Sequence, residues 1–162
     1  MPSSDDYWTV CETVYSYASG IDGRDWDQLR SIFLDEVDLD FTSYDPTRKI
    51  GPVPTDDWVR GIKPLFSGLA ASQHSMSNPR VALAGDRATC KVYMQAEHVL
   101  DHGDDDAWFT IGGQYTDRLE RTAAGWQIAS VRLEVFWRRG RYDIMASARA
   151  RGLEVLEARA DQ

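Results

Sequence analysis

Residues 88–98, ATCKVYMQAEH, decide how the chain is read. Ala88, Cys90, Val92, Met94, Ala96 and His98 alternate with Thr89, Lys91, Tyr93, Gln95 and Glu97, so one set is apolar and the other polar. Successive side chains of a strand point to opposite faces, which makes this a half-buried strand whose last inward position is a histidine. The same period continues downstream. Phe109, Ile111, Gly113, Tyr115 and Leu119 alternate with Thr110, Gln114, Thr116 and Arg118 between Trp108 and Arg121, residues 122–125 turn the chain, and Trp126–Trp137 forms a last long strand. Upstream, Gln73–Ala84 is a strand on which His74, Met76 and Asn78 share a face until Pro79, which has no N–H to donate, interrupts the ladder.

Before residue 70 the period is helical. Tyr7, Val10, Cys11, Val14, Tyr17 and Ala18 stripe a first helix over 5–18, and Trp26, Leu29, Ile32 and Phe33 stripe a shorter second one from Arg24. Val37, Leu39 and Phe41 alternate with Asp38 and Asp40 as an early strand. Residues 44–54, YDPTRKIGPVP, are read as a loop that could flap over a cavity. Thr55, with Asp56 and Asp57 behind it, is expected to cap a third helix carrying Trp58, Ile62, Leu65, Phe66 and Leu69 and ending near Ala71. Residues 141–160 form a closing helix with Ile144, Met145, Leu153 and Leu156 as its apolar contacts. Helices around one early strand, followed by long antiparallel strands, make an α+β fold: a cone-shaped α+β barrel, in which a curved, mostly antiparallel sheet wraps the N-terminal helices around an internal pocket. The 162 residues suit one domain, with a core over about 5–140 and the closing helix over about 141–160.

The formal net charge of −8 repels phosphate backbones and anionic lipid, which argues against nucleic acid or membrane as the main partner and for a small molecule. Cys11 and Cys90 fall on apolar stripes without metal-ligand spacing and read as reduced core residues. The first residues, MPSSDDYWTV, are acidic where a secretory leader would be basic, and no apolar run reaches the ~20 residues of a span, so a cytoplasmic location is expected. Asp101 and Asp104–Asp106 lack the spacing of a calcium loop and read, with His102, as a solvated hairpin. Arg138, Arg139 and Arg141 form a basic patch suited to a subunit contact or to solubility. No phosphate-cradling glycine loop, nucleophile elbow or HExxH motif is present, and neither a metal nor a cofactor is expected.

Asp22 is the residue out of place. It lies in SGIDGRDWDQLRSIF (19–33), where the helical pattern breaks at Gly20 and resumes at about Arg24, and is either a cap for the second helix or a buried functional acid. The segment IDGRDWDQL, followed by VDLDF, QHSMSNPRV, a strand ending AEHVL, and GGQYTDRLERTAAGWQI, resembles the SnoaL-like enzymes of the nuclear transport factor 2-like superfamily. Within them the pattern is most similar to the scytalone dehydratase and hexachlorocyclohexane dehydrochlorinase groups. The resemblance implies that Asp22 and His74 form the catalytic pair and that His98 matches a second catalytic histidine. It also implies a homo-oligomer, a trimer before a dimer. Where scytalone dehydratases carry a tyrosine before the aspartate this chain has Ile21, their second pocket tyrosine falls near Phe41 and Tyr44, and their Ser/Asn pair has no clear counterpart around Gln114 and Thr116.

An elimination needs a base with a pKa near working pH, which His74 supplies, and an anion that orients and stabilises its imidazolium, which Asp22 supplies. His98, or a tyrosine such as Tyr44, would protonate the leaving group. Tyr17, Phe41, Tyr44, Trp58, Phe66, Met76, Met94, Gln114 and Arg132 are the expected substrate contacts, with Arg132 and Glu134 sharing a face with Ile128. The expected activity is a cofactor-independent dehydratase or lyase on a small, mostly apolar, aromatic or polyketide-like substrate. An isomerase or cyclase of secondary metabolism, epoxide opening included, would use the same pair. A noncatalytic scaffold or the small partner subunit of a larger enzyme are the other readings, separated from these by whether an open pocket has His74 and Asp22 at its floor within hydrogen-bond reach.

Overall fold

The first helix, α1 (Ser4–Gly23), runs through Gly20, past the predicted break, in the computed structural model, which describes residues 4–101, 103 and 107–160. His102 and Asp104–Asp106, predicted in a solvated hairpin, lie outside the described residues. Gly20 marks a close approach instead of a break, because a Cβ there would stand 3.1 Å from the backbone of Leu29 on α2 (Trp26–Ser31). The chain turns at Arg24, whose φ of 59° is left-handed. Asp25 caps α2 by accepting a hydrogen bond from the Gln28 amide at 2.9 Å, so Asp22 is released from the capping role.

Six strands follow: β1 (Phe33–Asp40), β2 (Gly51–Pro54), β3 (Ala71–Ala84), β4 (Arg87–Val99), β5 (Trp108–Thr122) and β6 (Gly125–Gly140). They form one sheet in the order β2-β1-β6-β5-β4-β3. All neighbours are antiparallel except β1 and β6, which run parallel. The flap is shorter than predicted, because its end is β2, hydrogen-bonded to β1 with Val37 opposite Val53. The two prolines of β2 are tolerated because it is the edge strand. Pro79 breaks the β3–β4 register as expected, with Asn78 at φ 54° beside it.

Helix α3 (Thr55–Gly68) begins without a side-chain cap. The Thr55 hydroxyl donates instead to the Leu34 carbonyl at 2.5 Å, which ties α3 to β1. Helix α4 (Ile144–Ala160) crosses α3 where Gly68 and Gly152 let the backbones touch, and it buries Ile144, Met145 and Ala148. Leu153, predicted as a core contact, is half exposed. The core lies between the helices and the inner face of the sheet, around Val10, Val14, Phe33, Leu29, Val37 and Leu119. Cys11 and Cys90 are buried free thiols, as read from the stripes. Trp108 and Trp137 are partly exposed. Among the described residues no helix is long and apolar enough to cross a membrane.

Candidate active site

A cavity of about 90 Å³ opens between α1, α3, the 41–48 loop and the inner face of the sheet. Its buried lining includes Tyr17, Ile21, Trp58, Phe66, His74, His98, Ile111, Tyr115 and Leu133, while Phe41, Tyr44 and Arg48, less buried, stand at its mouth.

His74 reaches it from β3 and His98 from β4, on the same inner face, with ring centroids 5.9 Å apart. Asp22, in the last turn of α1, meets His74 across 52 positions of sequence. Its Oδ1 is 2.8 Å from His74 Nδ1 and its Oδ2 accepts the His74 backbone N–H at 2.6 Å. An ionised carboxylate only accepts, so Nδ1 carries the hydrogen and Nε2 keeps a lone pair. Burial pushes the Asp22 carboxyl pKa up, but hydrogen bonds from the His74 ring and backbone and from Ser72, with the charge of His74, outweigh it and hold it below the ordinary carboxylate value.

Two residues that the sequence reading did not single out complete this grip. Ser72 Oγ donates to Asp22 Oδ1 at 2.8 Å, and Arg24 Nη1 donates to Ser72 Oγ at 2.8 Å as well as to the carbonyls of Asp22 and Ile21. Arginine has only donors, so the Ser72 hydroxyl must accept from it and turn its own hydrogen to Asp22. Ser72 shares the inward parity of His74, which was the available signal; Arg24 becomes visible only once the α1–α2 turn is folded.

His98 differs from His74. Its Nδ1 lies 3.1 Å from the Phe109 carbonyl, so this nitrogen too is the protonated one. Burial, then the neighbouring His74, push its pKa down to about 4. His98 is therefore a neutral ring whose remaining nitrogen accepts. Tyr17 and Tyr115 are buried with ring centroids 5.5 Å apart, and Tyr17 packs edge-on to His74 at 5.9 Å. Burial drives the Tyr17 pKa up to about 12 and the Tyr115 pKa well above the ordinary value, so both hydroxyls keep their protons.

Of the expected substrate contacts, Tyr17, Phe41, Tyr44, Trp58 and Phe66 line the cavity and four do not. Met76 and Met94 pair with each other further along β3 and β4, on the side of His74 away from His98. Gln114 follows Gly113 and precedes Tyr115, and strand alternation sends it to the opposite face from that lining tyrosine. Arg132 is displaced by a bulge. Arg118 pairs with Ser130 but Leu119 with Ile128, so Ala129 is an extra residue and the face inverts beyond it. Val131 and Leu133 then point inward, while Arg132, its side chain 68% exposed, pairs with Asp40 at 3.7 Å. Of the basic patch, Arg138 donates to the carbonyls of Ser43 and Tyr44 at 2.9 and 2.6 Å and lies over the Tyr44 ring, which pins the mouth loop. Among the described residues, no group of three His, Cys, Asp or Glu side chains converges in a way that could hold a metal ion.

Residues 2–132 match the SnoaL-like domain. The chain belongs to that family. Among solved structures, the Kfla4162 protein of Kribbella flavida is 26% identical with a TM-score of 0.83, over 90% of this chain and 99% of that one. A scytalone dehydratase-like protein of Novosphingobium aromaticivorans is 14% identical with a TM-score of 0.72, over 86% and 93%. The hexachlorocyclohexane dehydrochlorinase LinA-type3 of Novosphingobium barchaimii is 17% identical with a TM-score of 0.66, over 86% and 95%. No protein with a curated description matches. The last two likenesses bear out the α+β cone of this SnoaL-like chain.

Proposed function

We propose that this SnoaL-like protein is a cofactor-independent lyase that removes water or another small leaving group from a mostly apolar, aromatic or polyketide-like molecule. The observation that carries the reading is the 2.8 Å contact of His74 Nδ1 with Asp22 Oδ1 at the wall of an apolar cavity. His74 Nε2 takes the proton from the carbon next to the leaving group, and Asp22 stabilises the imidazolium that forms. The C–H electron pair becomes the new double bond as the leaving group departs with its own bonding pair. The His74 imidazolium protonates it, directly or through a tyrosine hydroxyl that gives up its proton and takes that of the imidazolium, and either route restores both groups. His98, held neutral, accepts a hydrogen bond from a substrate hydroxyl. General base catalysis supplies roughly 10²- to 10⁴-fold, and alignment in a dry site the rest.

The cavity is smaller than the ~150 Å³ apolar void that admits benzene in an engineered protein. An aromatic substrate therefore extends from the cavity through its mouth, past Phe41, Tyr44 and Arg48. Isomerisation or cyclisation could begin with the same abstraction, and product analysis separates them. The same family resemblance implies association of copies, trimer before dimer; light scattering on the purified protein reads the stoichiometry.

The test is His74→Gln assayed against a panel of β-hydroxycarbonyl and halogenated cyclic compounds by mass spectrometry. Loss of turnover with an unchanged circular dichroism spectrum is expected, and a variant that still turns over would sink the proposal.

A further inference from the structure

We propose that Arg48 docks an anionic group of the ligand, which makes the ligand an aromatic carboxylate oriented with its charge at the mouth and its reacting carbon against His74. This rests on reading the cavity as the substrate site. Among the described residues Arg48 is the one with a permanent charge in the lining; the others are aliphatic, aromatic, thioether or imidazole. Among the described residues no carboxylate lines the cavity, because Asp22 sits behind His74 and outside the lining.

The guanidinium is also loosely held. Among the described residues its side chain has one ion-pair partner, Asp45 Oδ2 at 3.8 Å, which is beyond hydrogen-bond length. The other oxygen of Asp45 is occupied by the Thr47 amide and hydroxyl at 3.0 and 2.7 Å. Arg138, across Tyr44, is committed to two loop carbonyls, so it adds positive potential at the mouth while Arg48 keeps its donors. Arg138 lies over the Tyr44 ring and Arg48 lines the cavity with Tyr44, so both stand at the same rim.

The protein as a whole carries a formal charge of −8, so an anion is repelled by most of its surface and drawn to this rim. A planar guanidinium with free donors matches a carboxylate in two parallel hydrogen bonds. A neutral aromatic would fill the apolar wall equally well but leave Arg48 without a use.

Benzoate and benzyl alcohol share a ring and differ in charge, and their affinities for the full chain can be read by NMR titration. Wild type should bind benzoate more tightly than benzyl alcohol. Arg48→Met should weaken benzoate about tenfold or more and leave benzyl alcohol within about twofold, while Lys49→Met, an equal loss of charge on the same loop outside the cavity, should leave both within about twofold. Equal loss of the two ligands in Arg48→Met, equal loss of benzoate in Lys49→Met, or no benzoate binding to wild type would each overturn the proposal. Binding involves no turnover, so benzoate affinity surviving in Arg48→Met while His74→Gln is inactive would remove the anion dock and leave the base in place.

Discussion

Asp22 holds His74 at two points, the ring through Oδ1 at 2.8 Å and the backbone amide through Oδ2 at 2.6 Å. One carboxylate thereby fixes the tautomer of the ring and the position of the strand that carries it, so the end of α1 and the start of β3 cannot drift apart without undoing the His74–Asp22 pair. Asp22→Asn keeps the shape but replaces the anion by an amide, which removes the charge that stabilises the imidazolium. Turnover should fall by about 10²- to 10⁴-fold, with little change in KM. A kinetic comparison with wild type checks this, and the imidazole nitrogen shifts of His74 report whether the Nδ1–H tautomer is lost.

Ser72 donates to the same oxygen of that carboxylate, Oδ1, as the ring. Its hydrogen bond helps to hold the Asp22 pKa down, so Ser72→Ala should raise that pKa and move the acid limb of the pH–rate profile upward. A hydrogen bond to a charged group is worth about 1.5–3 kcal/mol, which sets the loss of rate at about 10- to 100-fold. Ser72→Thr keeps the hydroxyl and should restore most of the activity and the position of the limb. A Ser72→Ala profile that superimposes on wild type would show that Asp22 needs no such support.

The Asp22–His74–His98 set was legible because each element was announced by its own pattern: a carboxylate at the end of one helical stripe, and two histidines at inward positions of period-two strands. What stayed hidden depends on events between elements. Arg132 was misplaced because strict alternation was carried through Ala129, and a bulge is a property of two strands in register, with no signature of its own in this segment. Arg24 and Arg138 act through backbone carbonyls that only the folded chain presents. Thr55 looked like a cap because Thr-Asp-Asp is a helix start, yet its hydroxyl found the Leu34 carbonyl, a tertiary partner that local propensity cannot weigh. Asp117, by contrast, was readable: it shares the inward parity of Tyr115 and Leu119 and was passed over.

The α3–α4 crossing depends on two glycines. A Cβ on Gly68 would lie 1.7 Å from the Ala148 carbonyl oxygen, and one on Gly152 1.7 Å from the Pro64 carbonyl oxygen. Both obstacles are backbone, so neither can rotate away. Gly68→Ala and Gly152→Ala should each destabilise the fold by about 3 kcal/mol despite the better helix propensity of alanine, read from the urea midpoint. The site should suffer too, because α4 carries Met145 into the cavity wall. Gly61→Ala, on α3 with no atom near its Cβ, is the control and should be neutral or stabilising.

Asp117 is 3% exposed and, among the described residues, its Oδ1 has no hydrogen-bond partner. Burial pushes its pKa from the ordinary 3.8 up to about 8. From about pH 4 upward the unfolded chain gives up this proton while the folded protein keeps it, so the folded state binds more protons and loses stability as pH rises. Above about pH 8 the folded carboxyl ionises as well and the loss levels off. Asp22, whose pKa is lowered, has the opposite slope at acid pH, where stability is lost as its folded form is protonated. The two are separated by Asp117→Asn, which is neutral at every pH and close in shape. Wild type and variant should melt within about 2 °C of each other near pH 4, and the variant should gain progressively until it melts about 3 °C or more above wild type at pH 8. A difference in melting temperature that stays constant from pH 4 to 8 would mean that Asp117 is ionised in the fold and has a partner for its charge.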